Sequence, residues 1–254
     1  MFVLKHLWAG LFGGILMIAM PVSALIWPES WVMTRYDALL VVAVVTQALF
    51  FVYRLESWDE AVALIVFTAL GLGMEFFNTA RGNWAYPEGG LFTIAQVPLF
   101  VGFQYAAVGI CILRMVRIFE MRFAPFPPYW IALGLAVLIY LNFFTQHLWV
   151  DIRVALFLAT VLLFGRTRIW FRSGGRAGWM PMLLSLFLSA LGVWLAENIG
   201  TLTGTWLYDG QAQGEAVSLA TLGSWYLFLC VALMVALLVI PGATQRVSLT
   251  HDDV

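Results

Sequence analysis

Two copies of one polar motif contain the residues of this sequence that are best suited to chemistry. The motif reads Glu-x-x-x-Thr-x-x-Gly-x-Trp-x-Tyr, and its copies, 122 positions apart, are Glu75, Thr79, Gly82, Trp84 and Tyr86, then Glu197, Thr201, Gly204, Trp206 and Tyr208. Each Glu stands near the end of an apolar segment, and a polar, aromatic loop follows it. A gapless match in these residue types predicts an internal repeat.

Glu75 and Glu197 are the first catalytic candidates, because an ionisable group at membrane depth is costly and is often functional. A carboxyl group held away from water is protonated more easily, so either Glu could serve as a general acid. The aromatic residues of the motif could line a substrate pocket and stabilise a developing cation; they are Trp84, Tyr86, Trp206 and Tyr208. The structural alternatives are a hydrogen bond from each Glu to a neighbouring helix and an interfacial aromatic belt.

Other polar residues complete the candidate site. His147 lies in a second polar set with Asn142, Gln146 and Asp151, and it could shuttle a proton to either Glu or serve a structural role. Further candidate substrate contacts are Asn78, Arg81, Gln104 and Asn198. No metal site is expected, because no His, Glu or Cys pair has ligand spacing and Cys111 and Cys230 stand apart in apolar runs. No nucleotide motif is present, and no cofactor is expected.

The composition predicts an integral membrane protein. Of the 254 residues, 63% are hydrophobic and only 11% are charged, which is too apolar for the surface of a soluble domain. The lipid bilayer is therefore the expected surrounding. With a net charge of -1, the chain has no basic face for nucleic acid.

Eight apolar segments are predicted to span the membrane as helices, which makes the fold class an all-α membrane bundle. Their approximate ranges are 7–27, 36–53, 60–77, 92–115, 129–144, 152–164, 180–199 and 216–240. In the fourth segment, Gln96 and Gln104 are eight residues apart and are expected on one helix face. The breaker run Pro125-Phe126-Pro127-Pro128 divides the chain into two four-helix repeats, 1–124 and 125–254, within one integrated domain.

The Lys and Arg residues predict the orientation. With eight spans, ten of the 13 basic residues fall on the side of both termini, which places the termini in the cytoplasm of a bacterium and the chain in its inner membrane. Both motif copies then lie on the external side. An even number of spans in each half makes the repeats parallel.

Two resemblances add to this interpretation. The chain, with Met74-Glu75-Phe76-Phe77-Asn78-Thr79 and Ala196-Glu197-Asn198-Ile199-Gly200-Thr201, resembles the YoaT-like proteins, an uncharacterised bacterial membrane family. Locally, Glu followed by Gly-x-Trp-x-Tyr-Pro and by Gln96-Val97-Pro98 is similar to the membrane-embedded lycopene cyclases and carotenoid hydratases. Those cyclases carry acidic residues after the proline, whereas Leu99 follows Pro98 here.

The second resemblance implies a cofactor-independent enzyme in which a protonated Glu protonates a double bond of an isoprenoid or related lipid. A proton-coupled transporter of a small solute or lipid is the alternative, because duplicated halves with intramembrane carboxyl groups also suit transport. A scaffold is the third interpretation, and it requires no titrating Glu.

Overall fold

The computed structural model describes residues 1–28, 30–145, 151–212 and 214–249. The described part is mostly helical, with α1 Phe2–Ala9, α2 Leu11–Ile26, α3 Arg35–Val52, α4 Trp58–Ala80, α5 Phe100–Ile118, α6 Tyr129–Thr145, α7 Arg153–Phe164, α8 Met182–Leu202 and α9 Leu219–Val239. A short 3-10 turn, Pro241–Ala243, follows α9. The predicted helical membrane fold is confirmed.

Fewer than eight helices of the described chain have the length and composition of a membrane span. Five helices of the described chain, α3, α4, α5, α8 and α9, are long and apolar enough to cross a bilayer. The pair α1 and α2, bent by 66°, would make a sixth. The remaining apolar helices are shorter: α7 has 12 residues, or about 18 Å, against a hydrocarbon core of about 30 Å. The count of eight and the four-helix repeats are therefore not confirmed.

A short hairpin replaces the first part of the predicted fourth span. Strand β2, Thr93–Ile94, pairs with β3, Val97–Pro98, and α5 begins only at Phe100. Ala95 and Gln96 have φ of 47° and 66°, the left-handed pair that closes a two-residue hairpin turn. Gln96 is thus in a turn, so the prediction that it shares a helix face with Gln104 was wrong.

A three-stranded antiparallel sheet lies in the part of the chain interpreted as basic loops. It consists of β4, Arg122–Ala124, then β5, Arg168–Ser173, and β6, Arg176–Pro181, with β5 in the centre. Gly174 and Gly175 form the β5–β6 turn with φ of 59° and 79°, a conformation that glycine reaches without steric penalty. No sheet was predicted for this part of the chain.

The residues form two compact units. The sheet unit comprises Met1–Ala9, Cys111–Val193 and Leu219–Val254, and the motif unit comprises Gly10–Ile110 and Trp194–Ser218. The motif unit has an apolar core around Phe12, Leu16 and Phe50. It contains both motif copies and two further short strands, β1, Trp84–Ala85, and β7, Leu207–Tyr208. The boundary predicted between residues 124 and 125 stays a prediction.

Candidate functional site

Both motif carboxylates are buried at the same position on their helices. Glu75 lies five residues before the end of α4, and Glu197 lies five residues before the end of α8. Their side chains are almost inaccessible, because the two residues are only 4% and 9% exposed. Helix geometry places the Cα atom of each Glu about 7.5 Å along the axis from the end of its helix.

Three neutral donors surround Glu75. Its Oε2 atom accepts hydrogen bonds from Nε1 of Trp84 at 2.7 Å and from the hydroxyl of Tyr86 at 2.6 Å. Its Oε1 atom accepts a third, at 2.7 Å, from the hydroxyl of Tyr105 on α5. Because buried polar groups are costly without partners, these bonds are what allow the carboxylate to lie in an apolar bundle.

Glu197 repeats the first two contacts. Its Oε2 atom accepts from Nε1 of Trp206 at 3.1 Å and from the hydroxyl of Tyr208 at 2.6 Å. The donors again follow the Glu by nine and 11 residues. The motif spacing therefore encodes one local structure twice: a helix end, a turn, and a loop that returns an indole and a phenol to the carboxylate.

The two motif loops meet in one short ladder. Strand β1 pairs antiparallel with β7, so that Trp84 faces Tyr208, and their rings stand edge to face with centroids 5.9 Å apart. Gly82 and Gly204 have φ of 74° and 63°, a conformation that glycine reaches without steric penalty, and each lies in the turn between the helix end and the loop. As a result, the two carboxylates belong to one polar cluster: the phenols of Tyr86, Tyr105 and Tyr208 each interact electrostatically with both Glu75 and Glu197.

The phenols of the loops are held as hydrogen-bond donors. Burial, followed by the nearby Glu75 carboxylate, raises the pKa of Tyr86 well above its usual value. Burial and the Glu197 carboxylate raise the pKa of Tyr208 in the same way. Both hydroxyls therefore stay protonated at physiological pH and continue to donate to the carboxylates.

Tyr105 is a member of the cluster that the repeat could not reveal. The position 122 residues later is Leu227, which has no hydroxyl. Close packing of α5 on α4 brings Tyr105 to Glu75, because a Cβ atom at Gly71 would lie 2.4 Å from the Tyr105 ring. Small residues allow this kind of close approach between membrane helices.

The start of α3 anchors both loops and was also missed. Arg35 donates to the carbonyl of Thr203 at 3.1 Å and forms an ion pair with Glu88 at 2.6 Å. The Tyr36 hydroxyl donates to the carbonyl of Thr205 at 2.7 Å. Consecutive residues of one helix thus fix the second motif loop and tie it to the first.

Asp37 holds the segment that leads to the β2–β3 hairpin. Its Oδ2 and Oδ1 atoms accept from the backbone N–H groups of Leu91 and Phe92, both at 2.9 Å. The Thr34 hydroxyl donates to Oδ2 at 2.8 Å and also caps α3. The side chain of Asp37 is therefore fully used in positioning this loop.

Asn78 and Asn198, predicted as substrate contacts, bond the protein itself. Asn78 donates to the carbonyl of Met74 at 2.9 Å and accepts from Asn83 at 2.7 Å. Asn198 donates to the carbonyl of Trp194 at 2.7 Å and accepts from the N–H of Val217 at 2.9 Å. These bonds stabilise the helix ends and loops, and a contact with substrate stays a prediction for both.

The remaining candidates are Arg81 and Gln104, which have other contacts, and His147. Arg81 is exposed, with its guanidinium 5.5 Å from the centre of the Phe77 ring. Gln104 donates to Sδ of Met20 at 3.1 Å. His147, like Gln146, falls outside the described residues. Within the described ranges, no group of three His, Cys, Asp or Glu side chains could hold a metal ion.

Comparison with known proteins agrees with this fold. The chain is 35% identical over 202 residues to the uncharacterised protein YoaT of Bacillus subtilis, which covers 79% of this chain and 76% of YoaT. Two crystal structures of MvINS, an Insig homologue of Mycobacterium vanbaalenii, one of them a cross-linked trimer, are similar in fold, with a TM-score of 0.54. The alignment covers 73% of this chain and 95% of MvINS at 14% identity.

These matches support a multi-pass membrane protein in contact with lipid, and they lend no support to the local resemblance to lycopene cyclases. Residues 1–233 match the family described as a protein of unknown function, DUF817. Together with the similarity to YoaT, the match means that this chain is a member of the DUF817 family.

Proposed function

We propose that the chain is a membrane enzyme in which the Glu75–Glu197 cluster holds a proton and delivers it to an isoprenoid or other apolar molecule dissolved in the bilayer. The observation that carries the proposal is the presence of two buried carboxylates within one network of phenols. Such a pair suits acid catalysis because it stores a proton where a lipid-soluble substrate can approach.

The donors around the carboxylates explain why a proton is retained. The motif indoles and phenols that donate to Glu75 and Glu197 are neutral. Arg35 on α3 is paired with Glu88. Two negative charges that share a poorly solvated site repel each other, and binding one proton relieves this repulsion. In the proposal, Glu75 or Glu197 holds this proton, and one negative charge remains among the phenols that interact with both residues.

The phenols provide the route for that proton. Because Tyr86 and Tyr208 are partly exposed while their hydroxyls bond the carboxylates, a substrate would meet a tyrosine before a Glu. In the proposed step, the protonated carboxyl group donates to the phenol oxygen, and the phenol gives its own proton to a substrate double bond as it takes the proton of the carboxyl group. Loss of a proton from a neighbouring substrate carbon restores the carboxyl group. The balanced outcome is a double-bond shift or ring closure, with no oxidant consumed.

The depth of the cluster favours an enzyme over the alternative, a proton-coupled transporter. The Cα atoms of both Glu residues lie about 7.5 Å along the axis from their helix ends, whereas the midplane of a 30 Å hydrocarbon core is about 15 Å away. Alternating-access transporters place their sites near that midplane. A site near one surface suits a substrate that enters laterally from a single leaflet.

The test is lipid and pigment profiling of cells that express the wild type, Glu75→Gln plus Glu197→Gln, or the control Glu120→Gln plus Glu215→Gln. The control changes two exposed carboxylates. Gln keeps an oxygen for the indole and phenol donors at each Oε2 position, so the fold is expected to persist. A species that requires Glu75 and Glu197 supports the enzyme.

Identical profiles in all three strains would contradict the enzyme. Solute uptake that depends on the proton gradient and is lost only in the Glu75→Gln plus Glu197→Gln strain would then establish the transporter instead. If the Glu75→Gln plus Glu197→Gln strain keeps the function of the wild type, a scaffold is favoured, because a scaffold requires no titrating Glu.

We also propose that the protein lies in the bacterial inner membrane with both termini in the cytoplasm. If the number of spans is even, both termini lie on one side, and an excess of Lys and Arg on that side supports this orientation. A reporter fused after Val254 is expected to be active only in the cytoplasm. A reporter that is active only on the external side of the membrane would contradict this orientation.

A further inference from the structure

The sheet unit contains a basic pocket that the proposed chemistry does not use. Its volume is about 710 Å³, which is within the usual range for small-molecule sites. The walls come from β4, β5, β6, the end of α7 and the segment after the 3-10 turn. The lining includes Arg166, Thr167, Arg168, Trp179 and Ser248.

The charged side chains among the described lining residues are all positive. Arg166 and Arg168 are exposed, and neither forms an ion pair in the part of the chain that the structure describes. None of the described residues that line the pocket is acidic. An anion placed between the two guanidinium groups would therefore meet no opposing carboxylate on the described wall.

Aromatic packing orients one of the two cations. The guanidinium carbon of Arg168 lies 4.1 Å from the centre of the Trp179 ring, within the range of a cation–π contact. This contact fixes one face of the guanidinium and leaves its N–H edge available. Arginine binds phosphate in this way with two parallel hydrogen bonds, which gives geometric selectivity as well as charge.

Hydrogen bonds connect the segments that form the pocket walls. Thr167 is 2% exposed, and its hydroxyl donates to the carbonyl of Pro125 at 2.8 Å, while its own carbonyl accepts from the N–H of Met182 at 3.0 Å. The last described segment is fastened as well, because Gln245 donates to the carbonyl of Phe123 at 2.9 Å. Ser248, a hydroxyl donor, follows three residues later. These bonds fix the positions of the segments that line the pocket.

We propose that this pocket binds a phosphate group, held by Arg166 and Arg168, with the organic part of the ligand against Trp179. The phosphate could belong to the head group of an anionic lipid or to a soluble phosphate ester, since the chemistry is the same. The site does not depend on the proposed enzyme, because it uses other residues and another kind of ligand.

The experiment uses the purified full chain in detergent and two pairs of substitutions. Arg166→Gln plus Arg168→Gln removes the pocket cations, and Arg172→Gln plus Arg176→Gln removes the same charge from exposed positions on the same hairpin, outside the pocket lining. Calorimetric titration with glycerol 3-phosphate and inorganic phosphate tests the soluble source. Native mass spectrometry with phosphatidylglycerol and phosphatidylcholine tests the lipid source.

We expect the pocket variant to bind the phosphate probe at least tenfold more weakly, and the control variant to bind like the wild type. If the pocket variant loses binding only of phosphatidylglycerol, the natural ligand is an anionic lipid. If it loses binding only of glycerol 3-phosphate, the natural ligand is a soluble phosphate ester. Equal losses in both variants would reduce the effect to diffuse surface charge and overturn the site. Unchanged binding in the pocket variant would also overturn it. Thermal unfolding of each variant checks that the sheet is intact.

Discussion

Trp84 of the first motif faces Tyr208 of the second across the β1–β7 ladder, with ring centroids 5.9 Å apart. Each residue also donates to a carboxylate, Trp84 to Glu75 and Tyr208 to Glu197. The ladder therefore joins two similar loops into one cluster. A substitution in either strand of the ladder is therefore expected to alter the surroundings of both carboxylates.

Removing the Tyr105 hydroxyl is expected to destabilise the motif unit. Tyr105→Phe deletes the donor to Oε1 of Glu75 and leaves a buried acceptor, at a cost of about 1 to 3 kcal/mol. Thermal unfolding in detergent measures the effect. The control is Tyr53→Phe, because Tyr53 is 69% exposed. Equal melting temperatures for the two variants would show that the Tyr105 bond contributes nothing.

A methyl group at Gly71 is expected to force Tyr105 away from Glu75. Since a Cβ atom there would lie 2.4 Å from the ring, Gly71→Ala should destabilise the protein by about 1 to 3 kcal/mol. Gly14→Ala, at a helical site with no atom within 4 Å, is the matched control. It should be neutral or stabilising by up to about 1 kcal/mol. The opposite order of unfolding temperatures would contradict the packing of α4 and α5.

Stability is expected to fall in alkaline solution because of the two loop tyrosines. Burial raises the pKa of Tyr86 and Tyr208 in the folded protein, so above a pH of about 10 the unfolded chain releases phenol protons that the folded chain retains. Their contribution is complete below that pH and is lost as the pH rises toward their folded pKa. Melting temperatures measured from pH 8 upward should fall less steeply for Tyr86→Phe plus Tyr208→Phe. Parallel curves for the wild type and the variant would show that the pKa of these phenols is the same in the folded and the unfolded chain.

Asp37→Asn is expected to release the loop before the β2–β3 hairpin. Leu91 and Phe92 bond different oxygens of Asp37, and Asn replaces one of these oxygens with an NH2 donor, so in the same position it cannot accept from both N–H groups. Loss of one such bond should speed hydrogen exchange of these amides about tenfold. Exchange mass spectrometry of residues 88–94 measures this, with the exposed Asp209→Asn as control. Unchanged protection would show that other contacts hold the loop.

The spacing of the motif predicted much of the site, for a physical reason. A helix end and a glycine turn, both local in sequence, fix the positions of Trp84 and Tyr86 relative to Glu75. A repeated residue spacing predicts local structure of this kind. Tyr105 reaches Glu75 through helix packing instead, across 30 residues of chain. Its counterpart Leu227 lacks a hydroxyl, so the repeat carried no signal for this contact.

The strands were missed because their sequences resemble membrane helices and basic loops. In β5, Ile169 and Trp170 are both buried, which breaks the alternation that indicates a half-buried strand. The Gly174-Gly175 pair was the available hairpin signal. Similarly, Ala95 and Gln96 adopt positive φ without the glycine that would have indicated a turn.

The most direct test of the account is infrared spectroscopy of the wild type against Glu75→Gln plus Glu197→Gln at neutral pH. We predict that the difference spectrum contains the C=O stretching band of a protonated carboxyl group and that this band shifts in heavy water. It should be absent from the difference between the wild type and Glu120→Gln plus Glu215→Gln. A difference spectrum with carboxylate bands alone would show that both motif residues are ionised, and would contradict a proton stored at this cluster.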